Sequence, residues 1–183
     1  MHVAIAAIET SSIAQGAVVG DAMVKTAEVE LVEARPLSPG KFWVLVTGGV
    51  AEVRAAHQRG VEIAAETLLD HIFIPQLHAM ITPALAGPVA GPDHDALGVI
   101  ETLSAAAAIL AADRAAKTAP VLVRLVRLAN GLGGKGYVYL SGDVADVQAA
   151  VEAGRVEAQA AGLLVRSVVI PRLAADMKAR LWS

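Results

Sequence analysis

The sequence predicts an α/β (α+β) protein made of two tandem copies of one β-α-β-β-α-β unit, each copy closed by a short helix. Three observations carry this expectation. The first is that the chain matches itself. Ile8-Glu9-Thr10 returns as Ile100-Glu101-Thr102, and at the same spacing Asp21 and Lys25-Thr26-Ala27 return as Asp113 and Lys117-Thr118-Ala119. Farther along, Gly40-Lys41 returns as Gly134-Lys135, Val50-Ala51 as Val144-Ala145 and Ile74-Pro75 as Ile170-Pro171, at spacings that grow in small steps. Steps of that kind fall in turns, where a duplicated domain accumulates insertions. The second is length, since 183 residues suffice for two small domains. The third is the alternation of short apolar runs with longer helical patterns, in the same order in both halves.

Taken in order, each element has a local cause. Val3 to Glu9 and Leu97 to Thr102 are short apolar runs suited to buried strands. Ser12 and Ser104 then offer N-caps for helices ending near Lys25 and Lys117. Val29 to Arg35 and Val121 to Leu128 are rich in β-formers and lead through turns at Pro36 to Gly40 and Asn130 to Gly134 into strands Phe42 to Thr47 and Tyr137 to Ser141. Helices follow from Val50 to Leu68 and from Val144 to Ala161, then strands that proline stops after Ile74 and Ile170. This order resembles the ferredoxin-like split β-α-β arrangement with an added C-terminal helix. The expected domains are residues 1–90 and 94–183, joined by Gly87-Pro88-Val89-Ala90-Gly91-Pro92.

Composition narrows the function classes. The chain is 55% hydrophobic but only 3% aromatic, 18% charged, with a net charge of −3 and a mean hydropathy of +0.55. Disorder is excluded, and nothing attracts nucleic acid or an anionic membrane. The longest stretch free of Asp, Glu, Lys and Arg, His71 to Pro92, holds four prolines and does not read as a membrane-spanning helix. With no secretory signal visible, a cytoplasmic location is expected. The absence of Cys removes thiolate nucleophiles and Cys-ligated clusters. The surplus of apolar surface points to protein partners.

Candidate chemistry is sparse. Gly131, Gly133 and Gly136 satisfy G-x-G-x-x-G, but a strand rather than a helix follows, so the amide-rich helix N-terminus that receives a pyrophosphate is lacking. Glu9 and Glu101 invite an acid–base reading, yet each stands just before a helix start and is better read as a cap. His71 and His78 lie seven apart across a proline, and Asp93-His94-Asp95 lies in the linker; neither spacing makes a metal site, so no metal and no cofactor are expected. No catalytic residues are expected. Asp21 with Lys25 and Asp113 with Lys117 are i,i+4 pairs that either support their own helix or project from a lateral edge.

The string Ile8-Glu9-Thr10, the helix segment Asp21-Ala22-Met23-Val24-Lys25, the turn Pro39-Gly40-Lys41, the segment Gly142-Asp143-Val144-Ala145-Asp146-Val147 and the close Val169-Ile170-Pro171-Arg172 resemble bacterial microcompartment shell proteins. Two fused copies resemble the tandem-domain type, which forms pseudohexameric trimers. The resemblance implies a structural tile, partnered by itself and by other shell proteins, with a central pore for small polar metabolites. It places Leu37, Ser38, Pro39 and Gly40, with Asn130, Gly131, Leu132, Gly133 and Gly134, around that pore. Lys25, Lys117 and Arg172 fall at tile edges, with Gln76 opposite Arg172 in the first copy. In the tandem shell proteins of propanediol-utilisation compartments a cysteine in the first turn holds an iron–sulfur cluster; Ser38 stands there, and a hydroxyl is a far poorer ligand. The rival reading is a tandem ferredoxin-like regulatory domain with a small metabolite between its copies.

Overall fold

The computed structural model of the chain describes residues 4–129 and 131–181. They group into two compact units, one comprising the residues up to Leu77 with the segment from Ala129 to Gly134, the other comprising His78–Leu128 and the residues from Lys135 onward.

In the first unit the elements are β1 (Ala4–Thr10), α1 (Ile13–Thr26), β2 (Glu30–Leu37), β3 (Lys41–Gly48), α2 (Val50–Ala64) and β4 (Leu68–Ile74), with one 3-10 turn at Ala65–Thr67. The sheet order is β2-β3-β1-β4, and every adjacent pair is antiparallel. Strands β1 and β2 run the same way with β3 between them, which is the split β-α-β topology. Alternation along the strands sets the core: Ala4, Ala6 and Ile8 of β1 and Phe42, Val44 and Val46 of β3 meet Val19 and Met23 of α1 and Val53 and Ala56 of α2. The Ser12 hydroxyl caps α1 by accepting from the Gln15 amide at 3.2 Å.

The second unit repeats this order with β5 (Ala96–Thr102), α4 (Ala105–Thr118), β6 (Leu122–Leu128), β7 (Gly136–Gly142), α5 (Val144–Ala160) and β8 (Leu164–Ile170), in sheet order β6-β7-β5-β8. Ser104 caps α4, accepting from the Ala107 amide at 3.0 Å. Two short helices join this unit. One is α3 (Ile81–Ala86), which packs on β6 and α4. The other is α6 (Ala175–Leu181), whose Lys178 reaches Asp93 at 2.9 Å and Asp95 at 3.0 Å in the linker. That linker is also held by Arg124, a buried guanidinium on β6 that donates to the Ser141 hydroxyl at 2.8 Å, to the Val89 carbonyl at 3.2 Å and to the Pro92 carbonyl.

The observed elements differ from the expected ones in two places. Helix α2 stops at Ala64 instead of Leu68, because Ala65 takes a left-handed φ of 46° and the chain tightens into a 3-10 turn. Pro36 and Leu37, expected in a turn, complete β2 by pairing with Phe42 and Lys41.

Candidate functional site

Both glycine turns singled out in the sequence lie in the first unit. The first turn is closed by the Gly40 amide, which donates to the Leu37 carbonyl at 3.0 Å; Leu37 is buried, while Ser38, Pro39 and Gly40 are exposed. The second carries a bond from the Leu132 amide to the Ala129 carbonyl at 3.1 Å. Gly131 and Gly133 are exposed, Leu132 is half-buried and Gly134 is buried. Asn130 lies outside the described residues.

The two turns touch. Lys41 Nζ donates to the Gly134 carbonyl at 3.4 Å. Gly134 sits at a φ of +86°, which L side chains rarely adopt, and a Cβ there would lie close to Lys41 Nζ at 3.0 Å and Pro39 Cδ at 3.2 Å, so the conformation favours glycine.

Beneath the contact lies a charge pair that the sequence analysis did not find. Lys41 Nζ donates to Glu9 Oε1 at 2.6 Å, with the Glu9 side chain fully buried and that of Lys41 19% exposed. The second copy repeats the pair, Lys135 to Glu101 at 2.8 Å, but 44% and 34% exposed. The expectation that Glu9 and Glu101 cap helices is therefore corrected. The capping bonds belong to Ser12 and Ser104, and the carboxylates hold the lysine that follows each glycine turn. The signal was present in the repeat itself, where Glu9 and Lys41 recur together as Glu101 and Lys135.

The residues expected at tile edges lie on the outside of the fold. Lys25 is exposed and pairs with exposed Asp21 at 2.7 Å. Lys117 pairs with Asp113 at 2.6 Å, but here the aspartate is buried, and its second oxygen accepts from the His78 amide at 2.8 Å ahead of α3. Arg172 and Gln76 are exposed. No helix among the described residues is long and apolar enough to cross a membrane.

A duplicated split β-α-β unit, with a charge-anchored glycine turn in each copy, matches one known class. The chain belongs to the BMC domain family, the domain of bacterial microcompartment shell proteins, with residues 4–77 and 96–173 each matching it. It is 42% identical to the bacterial microcompartment shell protein PduT of Citrobacter freundii over 94% of both chains. It is 31% identical to the carboxysome assembly protein CcmO of Synechococcus elongatus over 88% of its length, spanning 63% of that longer relative. Among solved structures, a microcompartment protein from Desulfitobacterium hafniense superposes with a TM-score of 0.84 at 42% identity, covering 98% of this chain and 99% of the other.

Proposed function

We propose that this chain is a structural tile of a microcompartment shell in the bacterial cytoplasm, not an enzyme, in which three copies close into a pseudohexamer and pack beside other shell proteins. Each copy supplies two shell domains, residues 1–90 and 94–183, within which the two family matches fall. Leu37, Ser38, Pro39 and Gly40 with Asn130, Gly131, Leu132, Gly133 and Gly134 line a central pore for small polar metabolites. Lys25, Lys117 and Arg172 meet neighbouring tiles.

One observation carries the reading: the second unit covers a surface that the first leaves bare. Helix α3 packs on α4 and β6 and buries Ile81 completely. Stepping back one repeat, Ala105, Ala116 and Val123 are buried, whereas their counterparts Ile13, Val24 and Leu31 are exposed. Stepping forward, the counterpart of Ile81 is Met177 on α6, which is 49% exposed. The chain thus holds a bare receptor face in one copy and a bare donor helix in the other. One heterologous contact between chains satisfies both and, repeated around an axis, closes a ring.

Light scattering on purified protein tests this. A trimer of 18.8 kDa chains is expected, with Leu31→Glu and Met177→Glu each giving folded monomers. A monomeric parent, or trimers that tolerate both changes, would remove the basis for the tile.

A further inference from the structure

The first unit contains a histidine pair that no part of the shell role uses. His57 on α2 and His71 on β4 are brought together where the helix crosses the edge strand, with His57 Nε2 3.0 Å from His71 Nδ1. Their ring centroids are 5.0 Å apart. Phe73, two residues along β4 on the same face, stacks on the His57 ring at 5.9 Å and 29°, which limits the plane that ring can adopt. The His71 amide donates to the Asp70 carboxylate at 2.8 Å, fixing the backbone beneath the second ring. Arg54, one turn before His57, lies 5.1 Å over the opposite partner, the Phe73 ring.

We propose that His57 and His71 form a chelating site for a divalent late transition metal such as Zn2+, with water completing the coordination. Imidazole nitrogens bind zinc at about 2.0–2.1 Å, and a tetrahedral angle then sets two of them roughly 3.3 Å apart. The pair needs to open by only a few tenths of an ångström. Binding requires His57 to carry its proton on Nδ1 and His71 on Nε2, so that both facing nitrogens present lone pairs; the hydrogen bond between them is exchanged for two metal bonds. Burial, assisted by the neighbouring His71, lowers His57 to about 4, in keeping with a neutral ring at neutral pH.

The site is confined to the first copy. In the second sheet Ser167 takes the place of His71, since Ile8 faces His71 across the ladder as Ile100 faces Ser167. On the helix Val151 takes the place of His57, three residues before the glycine that approaches Ile8 in one copy and Ile100 in the other. Two changes that break the duplication at one spot, both to the same metal-binding residue type and in contact, are what a site acquired by one copy requires. Among the described residues no group of three or more His, Asp or Glu gathers to hold a metal, so the affinity rests on two ligands and favours metals that bind imidazole strongly. This departs from the expectation of no metal, which weighed His71 against His78 and not against His57.

Calorimetric titration of the intact protein with Zn2+, followed in parallel by the C2 proton resonances of its five histidines, tests the site. One zinc per chain is expected, shifting the two resonances that disappear in His57→Gln and His71→Gln and leaving the other three unmoved. Either substitution should weaken binding about tenfold or more, and His78→Gln should not. Absence of binding by the parent at millimolar Zn2+, or shifts confined to His2, His78 or His94, would overturn the assignment.

Discussion

Glu9 and Glu101 occupy the same place in the two copies but carry different weight, because their surroundings differ. Glu9 is enclosed and its lysine nearly so, whereas water reaches both partners of the Glu101–Lys135 pair. Removing one member of an enclosed pair strands the other charge away from water, at a cost of about 3 kcal/mol, while an exposed pair contributes roughly 0.5 kcal/mol. Urea unfolding of Glu9→Gln is therefore expected to lose several times the stability lost by Glu101→Gln. Equal losses would show that the Lys41 ammonium finds water or another acceptor once Glu9 is neutral. The same residue-level contrast separates Asp21 from Asp113, whose burial and bond to the His78 amide make Lys117 part of the fold.

Helix packing repeats between the copies with one instructive difference. Gly60 of α2 and Gly154 of α5 lie against the isoleucine of the central strand, and a Cβ would come 2.3 Å from Ile8 Cδ1 in the first case and 2.6 Å from Ile100 Cδ1 in the second. The remaining close neighbours of Gly60 are Met23 side-chain atoms, which can move. Gly154 instead faces the Ala111 backbone carbonyl of α4 at 2.7 Å. Overpacking against movable side chains costs about 1–3 kcal/mol, and a fixed backbone gives less. Gly154→Ala should thus lower the thermal midpoint more than Gly60→Ala; the reverse order would mean that α4 slides along α5 more readily than Met23 repacks. Helix α4 is alanine-rich and buried on nearly every side, packed chiefly against α5 and β6, with α3 against β6 and touching α4.

At the scale of the whole molecule, assembly should separate into two stages. In the assembly proposed above, closure of the ring would rest on apolar cover over the exposed Ile13, Val24 and Leu31, and packing of rings side by side on edge charges that act between already folded bodies. Such rim charges steer association more than they hold it. Changing Lys25, whose aspartate partner is exposed, and Arg172 together to Ala is expected to leave the trimer intact and to impair the sheets seen by electron microscopy. Sheets that form normally would move the lateral contact elsewhere on the tile.

Much of this was written in the sequence. Strand alternation, serine caps, stopping prolines and above all the self-match determined the element order in both copies, because those signals are local and occur twice. The family resemblance was equally legible, since its motifs are short and contiguous. What only the tertiary structure decided is which distant residues meet. Glu9 finds Lys41 across the β1–β3 ladder, Lys41 finds Gly134 across half of the chain, and His57 finds His71 where a helix crosses an edge strand. The early end of α2 has the same origin, for a left-handed alanine is not a local preference. Contacts between residues far apart in sequence are set by how helices and strands pack, and periodicity carries no record of that until the elements are in place.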